Sequence, residues 1–301
     1  MVTNPGDDLR VMGGEVWPDF DAVLYALAGL YDEERGWGIR GEGFTAADDA
    51  GAWFRVGDRD LALCRERAGW LDADVERAEV ARRLRERLGV DALVVPASAE
   101  RCETQVLVEA PGAAGAEVEA LPLQEWLVRE RAARRPLGIR VTPAAPRAAA
   151  EAVAAIRDAD LVLLGPSSPA MSLLPLLAAP DVAAAVAAAR RVVALSPTVA
   201  AVPPRTKAEA GRYRVRGLLL AALGVEHTAT GVARLWGEAI DGFVLDARDA
   251  GGARSAVPTF AADLLAATPF GRARLAEAVV SFGLGLPTRA PVAPVRVLPG
   301  L

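Results

Sequence analysis

The chain has 301 residues, 52% hydrophobic and 24% charged, with 34 Lys+Arg against 39 Asp+Glu for a net charge of -5. That is long enough for one large α/β domain or two small ones, too apolar for a disordered chain, and without the basic surplus of a duplex-binding protein, so no nucleic-acid partner is expected. One histidine, His227, and two cysteines, Cys64 and Cys102, rule out a His-rich metal site within one chain and argue against a disulfide framework or structural zinc; a cytoplasmic location is the expectation.

Val2 and Thr3 read as the end of a strand that runs at once into the turn Asn4-Pro5-Gly6-Asp7-Asp8. Trp17-Pro18-Asp19 forms a second turn, and Phe20, Val23, Leu24, Leu27 and Leu30 then fall at helical spacing, with Asp19 placed to cap that helix. Residues 31–60 are loop-rich, and 72–88 read as one charged amphipathic helix. Ala92–Val95 reads as a short buried strand, and Thr104–Glu109 alternates as a strand. Residues 111–120 read as a turn-containing connection, and Leu123–Arg135 as extended chain that turns polar.

From residue 140 the rhythm is regular: a helix over Pro146–Arg157, strands at Leu161–Leu164 and Arg191–Leu195, and a loop and helix between them. This alternation predicts an α/β fold with a parallel sheet and crossover helices. Residues 200–216 read as a mobile basic loop, followed by helices at Gly217–Leu223, Gly231–Glu238 and Gly271–Phe282 and a strand at Gly242–Asp246. The Pro-rich stretch 286–301 reads as a lightly docked tail behind a single domain, 1–285, that has a less regular insertion at about 60–140. Leu161–Pro180 is uncharged but broken by Pro166, Pro169, Pro175 and Pro180, and the N-terminus lacks a basic-then-apolar leader; neither a membrane span nor a signal peptide is expected.

The strongest local signal is acidic. Asp7 and Asp8 follow a strand, and Asp19 and Asp21 open a helix, where open α/β sheets gather ligands. Such carboxylates can hold Mg²⁺ and leave positions open for phosphate; capping and Asx turns are the plain alternative. Arg59, between Asp58 and Asp60, can bind phosphate, although a surface ion-pair cluster is the simpler reading. Ser167 and Ser168 follow one strand and Ser196 the next, in turns able to cradle an anion.

The order of the stretches carries more than any one of them. Asn4-Pro5-Gly6-Asp7-Asp8, Pro18-Asp19-Phe20-Asp21, Gly36-Trp37-Gly38-Ile39, Val56-Gly57-Asp58-Arg59-Asp60-Leu61-Ala62, Gln124-Glu125-Trp126, Gly165-Pro166-Ser167-Ser168-Pro169, Ser196-Pro197 and Asp241-Gly242-Phe243-Val244 succeed one another along the chain. Over residues 2 to 283 this succession resembles the 2-phospho-L-lactate transferase family of the CofD/FbiA type, which acts in biosynthesis of the deazaflavin coenzyme F420. The resemblance implies a Rossmann-like, mostly parallel sheet with flanking helices. It implies transfer of a phospho-lactyl, phosphoenolpyruvyl or phosphoglyceryl group from a guanylyl diphosphate donor to the deazaflavin Fo, with release of GMP and help from Mg²⁺. By resemblance Asp7, Asp8, Asp19 and Asp21 hold the metal and orient the attacking hydroxyl, and Asp21 and Arg55 contact Fo. Asn4, Asp58, Arg59, Ser167, Ser168 and Ser196 line the substrates, and a homodimer is expected.

The chain also departs from the family pattern. It opens at what would be the second strand, without the family's first strand and Gly-rich loop, which should leave a gap in the sheet. Leu63-Cys64 stands for the usual Thr-His, Ser168 for an Asn, and Ala200-Ala201 for a Gly-Gly. Two readings therefore stay open: a start upstream of Met1 that supplies the loop, or a diverged paralogue that serves as a nucleotide- or deazaflavin-binding partner.

Overall fold

The computed structural model describes residues 1–110 and 117–294. In chain order the elements are β1 (Val2–Thr3), β2 (Leu9–Val11), β3 (Gly14–Val16), α1 (Pro18–Leu27), α2 (Thr45–Asp49), α3 (Asp58–Asp72), α4 (Arg77–Arg87), β4 (Val95–Pro96), β5 (Glu103–Glu109), β6 (Val118–Pro122) and β7 (Pro136–Thr142). Then follow α5 (Ala150–Arg157), β8 (Val162–Leu164), α6 (Leu174–Leu177), α7 (Pro180–Ala187), β9 (Val192–Leu195), α8 (Lys207–Ala222), α9 (Ala229–Trp236), β10 (Gly242–Asp246), β11 (Thr259–Ala262) and α10 (Pro269–Gly285).

The expected parallel layer is present. It consists of a four-stranded sheet in the order β11-β10-β9-β8 and a separate two-stranded ladder, β1 with β4, all parallel. A three-stranded antiparallel sheet, β6-β5-β7, and the hairpin β2–β3 complete the strands. The stretch from 60 to 140 thus carries α3, α4 and the antiparallel sheet. The main core lies between the parallel strands and their crossover helices, where Ile156, Leu177, Val182, Val186, Val192, Leu220, Trp236 and Phe243 are buried together. A second core joins Val106, Val108, Leu123 and Trp126 to Val215 and Leu219 of α8, and a third joins Trp17, Phe20 and Leu24 to Val80 and Leu84 of α4.

Several boundaries differ from the sequence reading, each for a local reason. Residues 72–88 are not one helix: α3 ends at Asp72, Asp74 adopts a left-handed φ of 57°, and α4 starts at Arg77. The basic stretch 200–216 is largely helix. Thr206 accepts from the Glu209 N–H at 3.1 Å and Glu209 reaches back to the Arg205 N–H at 2.6 Å, a reciprocal cap that starts α8, whose Val215 and Leu219 then pack on the antiparallel sheet. Within Leu123–Arg135 the expected extended chain gives way to a π-helical turn, Glu125–Arg129, pinned by buried Trp126. The connection at 111–116 and the tail from 295 lie outside the described residues. Before that point the tail is docked: Leu286 is buried, and the Arg289 guanidinium donates to the Val186, Ala189 and Ala239 carbonyls. No helix among the described residues is long and apolar enough to cross a membrane.

Candidate functional site

Local geometry brings the first two acidic turns together. Met12 and Gly13, both at positive φ, form a two-residue turn between the paired residues Val11 and Gly14. The hairpin folds the chain back so that the turn after β1 and the first turn of α1 become neighbours. Asn4 organises the meeting point. Its Oδ1 accepts the Gly6 N–H at 2.8 Å, and its Nδ2 donates to Asp7 Oδ1 at 3.3 Å and to the Met171 carbonyl at 3.0 Å. The Gln124 Nε2 donates to Asp7 Oδ2 at 3.0 Å. Gln124 leads into the π-helical turn Glu125–Arg129, and Met171 belongs to a second one, Pro169–Leu173. Single π-helical turns are frequent at functional sites.

The four aspartates do not share one centre. Asp7 and Asp19 form the inner pair. Burial lifts both carboxyls above the ordinary range, and the Asp19 charge lifts Asp7 further, while the Asn4 amide pulls both down. Neither has an arginine or lysine partner among the described residues. Asp8 instead accepts a buried ion pair from Arg77, with burial raising its pKa to about 7 against the pull of that guanidinium. Asp21 is turned toward Arg67, which grips both its oxygens, and it also accepts the Trp17 N–H at 3.1 Å. The two guanidinium carbons lie 4.6 and 4.2 Å from the Trp17 ring centroid, so one indole braces both pairs. Asp19, in the first turn of α1, makes no cap; it faces Asp7 instead.

The other expected site residues are spread out. Arg55 is exposed, 2.8 Å from Asp48 and stacked over Phe44. Asp58 accepts the Thr45 and Ala46 N–H groups at 3.1 and 2.9 Å, which caps α2. Arg59 is exposed. Ser168 caps the Pro169–Leu173 turn, Ser167 is exposed beside it, and Ser196 is buried in a local loop with Thr198. All three serines stand at carboxyl ends of parallel strands, and the Asn4–Met171 bond ties the acidic turn to the segment after Ser168.

Two cavities flank Asp7 and Asp21. The larger, about 410 Å³, is walled by Tyr25, Trp37, Trp53, Phe54 and Val56, with Asp21, Arg55, Asp60 and Gln124 at its polar edges. The smaller, about 200 Å³, is polar and bounded by Asp7, Asp8, Arg10, Arg101, Thr104 and Gln124. Trp53 and Gln124 line both. Sequence reading gives Trp53 no part and assigns no site role to Asp60 and Gln124, although both fall in stretches that carry the family resemblance. Asp60 accepts the Tyr25 hydroxyl at 2.7 Å and the Cys64 thiol at 3.4 Å, and burial, then the Asp21 charge, raises its pKa to about 7. Gly57 is needed behind it, because a side chain there would strike the Glu42 carboxylate that holds the Ile39 and Asp60 N–H groups. The Gly57-Asp58-Arg59-Asp60 stretch could have pointed to Asp60, whereas nothing local in the sequence places Gln124 against Asp7.

The donor chemistry of the inner pair suits a hard divalent cation. Asp7 and Asp19 offer two neighbouring carboxylates with no ion-pair partner among the described residues, and the smaller cavity, which Asp7 lines, leaves room for further oxygen ligands. Parallel strands whose carboxyl-end turns carry Asn4, Asp7 and the serines define an α/β protein of the open-sheet class. Comparison narrows the class. The family model described as 2-phospho-L-lactate transferase CofD matches residues 1–251, and the chain belongs to that family of transferases. It is 36% identical over 253 residues to a phosphoenolpyruvate transferase of Mycobacterium marinum, covering 81% of this chain and 74% of that one. It is likewise 36% identical over 264 residues to a phosphoenolpyruvate transferase of Streptomyces griseus, covering 83% of this chain and 78% of that one. A crystal structure of a Bacillus halodurans protein superposes with a TM-score of 0.51 at 15% identity, over 86% of this chain and 82% of that one, a likeness of fold.

Proposed function

We propose that this protein joins a three-carbon phosphoryl group, of the phosphoenolpyruvyl kind by analogy with its relatives, from a guanylyl diphosphate donor to the ribityl hydroxyl of the deazaflavin Fo, in coenzyme F420 biosynthesis. The observation that carries this reading is the aromatic cavity of about 410 Å³, which shares Trp53 and Gln124 with the polar cavity that Asp7 lines. Its size and its walls of Tyr25, Trp37, Trp53 and Phe54 suit a planar fused-ring ligand, with Arg55 and Asp21 at its edge.

In the reaction the acceptor hydroxyl oxygen bonds to the phosphorus that carries the three-carbon acid. The bond from that phosphorus to the bridging oxygen breaks, GMP leaves with the electron pair, and the hydroxyl proton is released. Such chemistry asks for positioning and charge neutralisation more than for a histidine. Mg²⁺ held by Asp7 and Asp19 would supply neutralisation at the donor's phosphoryl oxygens. Asn4 and Gln124 hold Asp7 in place, Arg67 and Arg77 fix Asp21 and Asp8, and the indoles of Trp37 and Trp53 cover the acceptor ring. The serine turns after β8 and β9 are the natural seat for the donor's nucleotide end.

The test is turnover. Purified protein with Mg²⁺, Fo and an enolpyruvyl-diphosphoguanosine donor is expected to release GMP in equal amount to the Fo-phosphodiester formed, both read by chromatography. Fo binding without GMP release, at any Mg²⁺ concentration, would favour the binding-partner reading instead.

A further inference from the structure

Gln124 stands between the two cavities, and its side chain is only half used. The Nε2 donates to Asp7 Oδ2 at 3.0 Å, while Oε1 accepts no hydrogen bond among the described residues. That bond turns the amide nitrogen toward Asp7 and leaves the oxygen directed away from it. Gln124 lines both the aromatic cavity and the polar one, so Oε1 is the atom it offers where the two meet. The backbone supports this placement. The five-residue π-helical turn Glu125–Arg129 starts directly after Gln124, and Trp126 anchors it, fully buried, with its indole N–H on the Arg134 carbonyl at 2.9 Å.

We infer that Gln124 is a positioning residue that couples the acidic pair to the acceptor: its N–H holds Asp7 toward Asp19, and its Oε1 receives the hydrogen bond of the attacking ribityl hydroxyl. The inference rests on the proposed transfer to Fo. It explains how one side chain lines up the cation site and the nucleophile. The two sit in neighbouring cavities, and an error of about 1 Å between them lowers the rate steeply. The amide does not take the hydroxyl proton; it aims the oxygen lone pair at phosphorus while the proton leaves to solvent.

The experiment compares the parent chain with Gln124→Ala and Gln124→Glu, the second keeping the size of the side chain but replacing the donor with an acceptor. Thermal melts establish that each variant is folded. Fo affinity is read by fluorescence titration, Mg²⁺ affinity by calorimetry, and kcat by GMP release at saturating substrates. Both variants are expected to bind Fo within about threefold of the parent and to lose kcat by roughly 10- to 100-fold, the range for losing a hydrogen bond to a charged or reacting group. Gln124→Glu is also expected to bind Mg²⁺ more tightly, since it adds a third carboxylate beside Asp7. A kcat within threefold of the parent in both folded variants would overturn the inference, as would a loss of kcat matched in full by a loss of Fo binding. If the parent itself never releases GMP, the proposed function falls, and the calorimetry still judges Gln124: equal Mg²⁺ affinity in all three chains would overturn its link to Asp7.

Discussion

Replacing Arg67 by methionine probes the interior support of the site. Arg67 is 0% exposed, donates to the Glu15 carbonyl at 2.8 Å and to both oxygens of Asp21, and lies against Trp17 and Phe20. Methionine fills most of the volume but leaves Asp21, 4% exposed, with the Trp17 N–H as its one remaining donor among the described residues. Removing one partner of a buried pair costs about 3–5 kcal/mol, against about 0–1 kcal/mol for an exposed one. For a domain of this size that corresponds to a fall in Tm of roughly 5–8 °C. The double variant Arg67→Met with Asp21→Asn removes the orphaned charge and is expected to regain more than half of the loss, which a double-mutant cycle by calorimetry would measure. A single-variant loss below about 3 °C, or a double variant no more stable than the single one, would refute the argument that the pair is held together by mutual charge compensation.

Three further outcomes follow from the same geometry. Asp7→Asn and Asp19→Asn should each raise Tm in Mg²⁺-free buffer by a few degrees, because a buried like-charge neighbour is removed, and should abolish the rise in Tm that added Mg²⁺ gives the parent; an unchanged Mg²⁺ response would remove both from the cation site. Trp53→Ala should weaken Fo binding about 5- to 30-fold in a fluorescence titration, with Trp53→Phe close to the parent, as expected for a lost stacking surface of about 1–2 kcal/mol; equal affinity would take Trp53 out of the cavity's function. Asp60 keeps its proton in the folded chain up to about pH 7, whereas the unfolded chain loses it near the ordinary 3.8, so stability should fall as pH rises through that window. Asp60→Asn retains an acceptor for Tyr25 and should flatten that slope in melts between pH 4.5 and 7.5, to about the value set by Asp7, Asp8 and Asp19; an identical slope in both chains would contradict it.

Some of this architecture was legible without coordinates. The alternation of apolar runs and helical spacing after residue 140 announces a parallel sheet, because the central strands β9 and β10 are almost wholly buried and read as short apolar runs, Val-Val-Ala-Leu and Phe-Val-Leu. Their carboxyl-end turns follow from the same pattern, and with them the three serines, whereas Asn4 and Asp7 follow the short strand β1. The two-residue turn at Met12–Gly13 carried a weaker signal, since methionine at a φ of 50° is not a residue that announces such a turn. The Thr206–Glu209 cap was readable as Thr-x-x-Glu, but the arginines around it masked a helix whose apolar side shows only against the antiparallel sheet.

The sequence by itself determined the class of fold and the kinds of group available: oxygen donors and aromatics, with a single histidine. Only the tertiary structure decided which aspartates meet. Four acidic side chains look equivalent along the chain, yet Arg67 and Arg77, from helices more than forty residues away from their partners, neutralise Asp21 and Asp8 and leave Asp7 facing Asp19. The reason is that burying a charge is costly unless a partner arrives with it, and those partners are supplied by packing around Trp17, which no local pattern of residues can specify.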